Sequence, residues 1–166
     1  MVRKIYVPVA QMDRAMAFLN EFAMLDSKFQ GNLTELQCLA AFTQLGYQVS
    51  IPYGDCARYD FIVDIDNKLY RIQCKTSHLE TEGAYMFSCR STAANHSRNA
   101  TRSYSEEEID YFATIIEGQC YIVPISETGG RSKTLRFISP KNGQKAGVSF
   151  AKDYKIETQL AKLKGE

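Results

Sequence analysis

The sequence has no tryptophan, two histidines, four prolines and a net charge of only +1, and no apolar run approaches the roughly 18 residues that a membrane span needs. Its start, from Met1 to Val9, lacks the apolar stretch of a secretory signal. These absences lead us to expect an intracellular protein with no membrane contact. Five cysteines, at 38, 56, 74, 89 and 120, are odd in number and never closer than 15 residues, which suggests neither a zinc ribbon nor a disulfide framework. They read as small core residues. Of the two histidines, His78 reads as a surface residue of a loop formed by Thr76-Ser77-His78.

What is present is an ordinary globular composition. Ten tyrosines and nine phenylalanines, 45% hydrophobic and 23% charged residues argue against disorder. A chain of 166 residues is long enough for one domain and short for two. The near-zero net charge hides a segregated distribution. No acid occurs between Gly83 and Ser105, where Arg90, Arg98 and Arg102 sit, and none from Thr128 to Lys152, which includes Lys141 and Lys145.

The stretch from Tyr59 to Lys75 organises the rest. Residues 59–65 and 68–75 are β-branched, aromatic and alternating, and Asp66-Asn67 between them suits a two-residue hairpin turn. If Ile65 pairs with Lys68, then Asp64 meets Leu69, Ile62 meets Arg71 and Asp60 meets Gln73. Asp60, Gln73 and Lys75 then share one face, with opposed Cβ atoms about 5 Å apart. A carboxylate, an amide oxygen and an ammonium group converge there. An oxygen-rich cluster of this kind suits a hard cation such as Mg²⁺, which binds few protein ligands and keeps water and phosphate oxygens in its other positions. The lysine can stabilise charge developing on a phosphate. The plain alternative is a wet sheet face with scattered polar residues. Asp64 lies about 13 Å further along the strand, too far for the same ion.

Around this hairpin, residues 1–9 suggest a short strand, and Met12, Ala15, Met16, Leu19, Phe22 and Ala23 recur at helical spacing. A second helix is expected from Leu33 to about Leu45, capped by Asn32 and stopped at Gly46, with Leu36, Leu39, Ala40 and Phe42 as its buried stripe. Asn32 and Glu35 also have the spacing of a capping box, so Glu35 can be a cap or a site residue. Tyr47 to Pro52 reads as a strand, Gly54-Asp55 as a turn and Tyr85 to Cys89 as a further strand.

Residues 90–104 are small, polar and basic. They read as a flexible loop suited to a DNA backbone, or as a merely solvated one. Ser105 to Ile116 reads as a helix, because Ser105 and Glu108 have capping-box spacing and Ile109, Phe112, Ala113 and Ile116 make one stripe ended by Gly118. Tyr121 to Ser126 reads as a buried strand, with Thr134 to Ser139 returning as its neighbour. Pro140 to Ala151 reads as a basic loop and Asp153 to Leu163 as a terminal helix.

The spacing Asp60, twelve residues, Gln73, one residue, Lys75 resembles the PD-(D/E)xK nuclease superfamily, with Tyr59-Asp60 in place of Pro-Asp and Gln73 in place of the second acid. The order Gly31-Asn32-Leu33-Thr34-Glu35, Tyr59-Asp60, Gln73-Cys74-Lys75 resembles the subgroup associated with group I introns. Glu107 to Phe112 followed by Tyr121-Ile122-Val123-Pro124 resembles its later half, so the likeness covers roughly residues 31–126. It implies an α/β protein with a restriction-endonuclease-like core, a mixed β-sheet flanked by helices. Residues 1–30 would be an addition before a single nuclease domain, and 127–166 an extension after its core.

The resemblance also implies Mg²⁺-dependent cleavage of double-stranded DNA, with Mn²⁺ as a substitute, at a specific site of the intron-insertion kind. Asp60 would be the main metal ligand and Glu35 a second acid binding metal or water. Gln73 would give a neutral oxygen, the Cys74 carbonyl another, and Lys75 would assist the attacking water and the phosphate. Arg90, Arg98, Arg102, Lys141 and Lys145 are the candidate DNA contacts, and cutting both strands implies a homodimer or homotetramer. An amide at 73 removes one charge from the superfamily pattern, which weakens metal binding; the nearer subgroup also has glutamine there. The same residues could serve a Holliday-junction resolvase, a repair or restriction nuclease, or a DNA-binding module with a decayed site.

Overall fold

Asp66 and Asn67 set the register from which the sheet grows. In the computed structural model, which describes residues 27–92, 101–139 and 146–165, they have φ of 53° and 63°, the two left-handed positions of a tight hairpin turn. The described chain begins in helix α1 (Ser27–Gln44), followed by β1 (Gln48–Ser50), β2 (Phe61–Ile65) and β3 (Lys68–Cys74). As expected, Ile65 lies opposite Lys68, Asp64 opposite Leu69 and Ile62 opposite Arg71.

Next come β4 (His78–Thr81), β5 (Ala84–Ser88), β6 (Arg90–Thr92) and β7 (Thr101–Ser103), then β8 (Tyr111–Ile116) and β9 (Gln119–Pro124). Strand β10 (Ser132–Arg136) and helix α2 (Ile156–Lys164) complete the elements used below. Among the described residues, one mixed sheet has the order β1-β2-β3-β8-β9, with β3 and β8 parallel and the other pairs antiparallel. A smaller antiparallel sheet runs β10-β5-β4, and β6 and β7 form a two-stranded ribbon.

Alternation along the large sheet divides the core. One face sends Phe61, Val63, Ile65, Ile72, Cys74, Ala113 and Ile122 against Cys38 and Phe42 of α1 and Ile156 and Leu160 of α2. Phe42 meets Phe61 edge to face at 5.7 Å. The other face sends Phe112, Ile116, Tyr121 and Val123 against Phe87 and Leu135 of the small sheet. The result is the expected α/β architecture, a mixed sheet flanked by helices. Gly83 lets the β4–β5 turn pass beneath Ile138, because its φ is 65° and a Cβ there would collide with the Ile138 side chain.

Several local expectations are corrected. Ser105 to Ile116 is not a helix. The capping contact forms, with Glu108 accepting from the Ser105 N–H at 3.1 Å, but it closes a single turn before the chain extends into β8. Tyr111 to Ile116 is apolar and β-branched on both faces, and it is covered on both, as a strand inside a sheet requires. Gly118 accordingly belongs to a hairpin turn with Glu117 (φ 78° and 51°), not to a helix end.

The strand near Thr134 pairs with β5 and not with β9. Helix α1 already includes Ser27, so Asn32 lies within it and does not cap it. Its inward residues are Thr34, Cys38 and Phe42, while Leu36 is 63% exposed and Ala40 faces solvent. Thr34, Cys38 and Phe42 recur every fourth residue, and the stripe they make leaves Leu36 on the outer side. Cys56 is exposed, unlike the other four cysteines. His78 begins β4, and both ends of the 90–104 segment are strands of the ribbon. The expected elements within residues 1–26 lie outside the described residues, as do Arg98, Lys141 and Lys145.

Candidate active site

The β2–β3 ladder stops at Phe61 opposite Ile72, and Asp60 continues it with its own groups. The Asp60 N–H donates to the Ile72 carbonyl at 2.8 Å. Its Oδ2 accepts from the Cys74 N–H at 2.6 Å and from Gln73 Nε2 at 2.7 Å. Gln73, only 9% exposed, also directs Nε2 towards the Cys74 carbonyl at 3.2 Å. A carboxylate, an amide and a main-chain carbonyl therefore meet at the hairpin end opposite its turn.

Lys75 follows directly. Its N–H donates to the Ala113 carbonyl at 2.9 Å, which carries the parallel β3–β8 pairing one step further and fixes the lysine backbone. Its Nζ donates to Tyr104 Oη at 3.1 Å and lies 4.9 Å from the centre of that ring. Glu35 arrives from α1. That turn of the helix is tied down beside the lysine strand, because Thr34 Oγ1 lies 3.1 Å from Thr76 Oγ1. Glu35 is half-buried, one step from the inward face that Thr34, Cys38 and Phe42 define.

Burial pushes the Glu35 carboxyl above its ordinary range, and the negative charge of Asp60 pushes it further. Burial likewise raises Asp60, against the lowering effect of the Cys74 N–H, the Lys75 charge and the Gln73 amide. Two acids disfavoured as anions beside a neutral amide and a carbonyl form an oxygen-rich set that a divalent cation would relieve. Among the described residues no three His, Cys, Asp or Glu side chains gather as metal ligands. The set thus depends on Gln73 and the Cys74 carbonyl, and on the Gln73 amide presenting oxygen to the ion by rotation about its last torsion. With that rotation the residues fit a hard cation.

Sequence reasoning missed Tyr104 and Arg58. Arg58, two residues before Asp60, places its guanidinium 4.2 Å from the centre of the Tyr104 ring. It also donates to Glu108 at 3.2 Å, to Ser91 Oγ at 2.7 Å and to the Ser103 carbonyl at 3.3 Å. The visible signals were an arginine just ahead of the acid strand and a lone aromatic ending a small, polar segment.

Of the candidate DNA contacts, Arg90 and Arg102 are on the ribbon. Arg90 faces Ser103 and Ser91 faces Arg102, so the two arginines project from opposite sides of it. Arg90 Nη1 donates to Thr101 Oγ1 at 3.3 Å, and Arg102 pairs with Glu108 at 2.6 Å.

A mixed sheet with an acid, an amide and a lysine at the end of one hairpin, and a further acid on the covering helix, has the architecture of a restriction-endonuclease-like nuclease. The profile of a PD-(D/E)XK endonuclease family matches residues 25–157. The chain belongs to that family. Among solved structures it is similar to a bacterial homing endonuclease, I-Ssp6803I, at 21% identity and a TM-score of 0.68, over 85% of this chain and 96% of that one. No curated protein sequence matches it. Among the described residues no helix is long and apolar enough to cross a membrane.

Proposed function

We propose that the protein is an intracellular, Mg²⁺-dependent endodeoxyribonuclease that makes site-specific double-strand cuts of the intron-homing kind, acting as a homodimer or homotetramer. The observation that carries the reading is the convergence of Asp60, Gln73 and the Cys74 carbonyl beside Lys75. Family membership and the likeness to a homing endonuclease support it.

In this reading Asp60, Gln73 and the Cys74 carbonyl hold the ion, and Glu35 either completes the set or orients the attacking water. A bound divalent cation would supply Lewis-acid stabilisation of phosphate charge and acidify a water molecule. Lys75 directs its ammonium at the phosphate, where a fixed positive charge favours the pentacoordinate transition state over the ground state. Burial of Gln73 and partial burial of Asp60 limit the access of competing water to the ligand groups. Arg90 and Arg102, on the two sides of the ribbon, neutralise backbone phosphates and set the register of the duplex, together with Arg98, Lys141 and Lys145.

The test is cleavage of a pool of linear, branched and randomised duplexes with Mg²⁺ or Mn²⁺, comparing the native chain with Asp60→Ala and Lys75→Ala. Cutting by the native chain alone supports the reading, and sequenced ends define the target. Preference for branched DNA would replace homing with junction resolution. Salt-sensitive DNA binding without any cutting would leave a binding module.

A further inference from the structure

We infer that Tyr104 is a positioning residue for Lys75 and that Arg58 holds it in place, so that the ribbon and the lysine share one mechanical unit. The inference rests on the nuclease reading given above and adds to it two residues from outside the metal-facing set.

A lysine on a four-carbon stem has many rotamers, and a reacting phosphate sees its charge only in a few of them. Here the Lys75 ammonium has a fixed acceptor, Tyr104 Oη at 3.1 Å. The acceptor is itself immobilised. Its ring packs edge-on against buried Phe112, with centroids 5.4 Å apart and planes at 87°, and carries the Arg58 guanidinium at 4.2 Å. Arg58 uses its remaining donors on Ser91 Oγ and the Ser103 carbonyl, one from each strand of the ribbon, and on Glu108. Tyr104 directly follows β7 in the chain. A phosphate backbone seated on the ribbon would therefore bear on the same side chains that aim the lysine. Tyr104 needs no contact with substrate to act in this way.

Tyr104→Phe is the informative change, because it keeps the ring against Phe112 and Arg58 and removes only the acceptor. Two readouts are taken on the full chain. The first is the Cε–Hε resonance of Lys75 in ¹³C-lysine-labelled protein, assigned by its loss in Lys75→Arg. The second is kcat and KM for DNA cleavage with Mg²⁺. In the native protein the fixed aromatic ring displaces the lysine resonance from the position of a free lysine. In Tyr104→Phe it moves to the position of a free lysine, kcat falls about 10- to 100-fold and KM holds, with unchanged melting. A resonance that stays in place, or a kcat that does not fall, overturns the inference. A fall in kcat with the resonance unmoved also overturns it, since Tyr104 would then act on something other than Lys75. If the native chain cleaves no DNA, the nuclease reading fails separately, and the resonance alone decides whether Tyr104 holds the lysine.

Discussion

Arg71 closes on Asp110 with its backbone N–H and two of its guanidinium nitrogens. Its backbone N–H and Nε both reach Asp110 Oδ2, at 2.7 and 3.0 Å, and Nη2 reaches Oδ1 at 3.1 Å. The guanidinium also donates to the carbonyls of Glu106 and Glu107. The pair clamps the turn ahead of β8 onto β3, and that clamp aligns β8 for parallel pairing beside Lys75.

Removing one partner should be costly. Asp110→Asn is expected to lose about 2 kcal/mol of stability near neutral pH, as for a hydrogen-bonded charge left without its partner. Burial raises the Asp110 carboxyl, but the Arg71 hydrogen bonds and charge outweigh it and hold the group below its ordinary value. A depressed carboxyl contributes stability above its unfolded value of about 3.9 and loses it as the pH falls through the folded value. The difference between the native chain and Asp110→Asn should therefore shrink in strong acid. Urea unfolding at neutral and acid pH measures both effects.

Gln73→Glu should separate apo stability from metal affinity. Without metal it replaces the 2.7 Å donor on Asp60 Oδ2 with a second carboxylate, costing about 1–3 kcal/mol. With Mn²⁺ the added charge should strengthen the proposed site. Melting curves in chelator and in Mn²⁺ should show a lower starting point and a larger metal-induced rise than in the native chain. Asp60→Asn should show almost no rise.

Thr114 carries a fully buried hydroxyl with no hydrogen-bond partner among the described residues. Thr114→Val removes that unsatisfied group at nearly constant volume and favours strand geometry. It should be neutral or stabilising by up to about 1 kcal/mol, read as a rise in the urea midpoint.

One thiol should react quickly in the native protein. Cys56 is exposed, whereas Cys38, Cys74, Cys89 and Cys120 are buried, and burial pushes Cys89 to about 11, against lowering by Thr128 and Lys133. A disulfide reagent should titrate one equivalent rapidly and four more only on unfolding. Cys56→Ser should abolish the fast phase.

The hairpin was legible because everything that determines it is local. Asp66-Asn67 dictates the turn, the turn dictates the register as far as Phe61 opposite Ile72, and Asp60 just beyond it meets Gln73 through its carboxylate. Residues 105–116 were misread because Ser105 and Glu108 build a real helical turn, and Ile109, Phe112, Ala113 and Ile116 fit a helical stripe as well as two covered faces of a strand. Only packing on both sides, by α1 and α2 on one and the small sheet on the other, distinguishes the two. The link of Arg58 and Tyr104 to the lysine was not legible for a related reason. Tyr104 meets Lys75 across 29 residues, and no spacing rule carries that far.

The anchoring of Lys75 on Ala113 also orders events in time. A hairpin closed by two residues forms within roughly microseconds, while a parallel pairing must wait for its crossover to be ordered. During synthesis Asp60, Gln73 and Lys75 leave the ribosome together, but Lys75 has no main-chain anchor until β8 has followed. Asp60 and Gln73 come together early as a bare hairpin, and the lysine is fixed beside them only when most of the chain is complete.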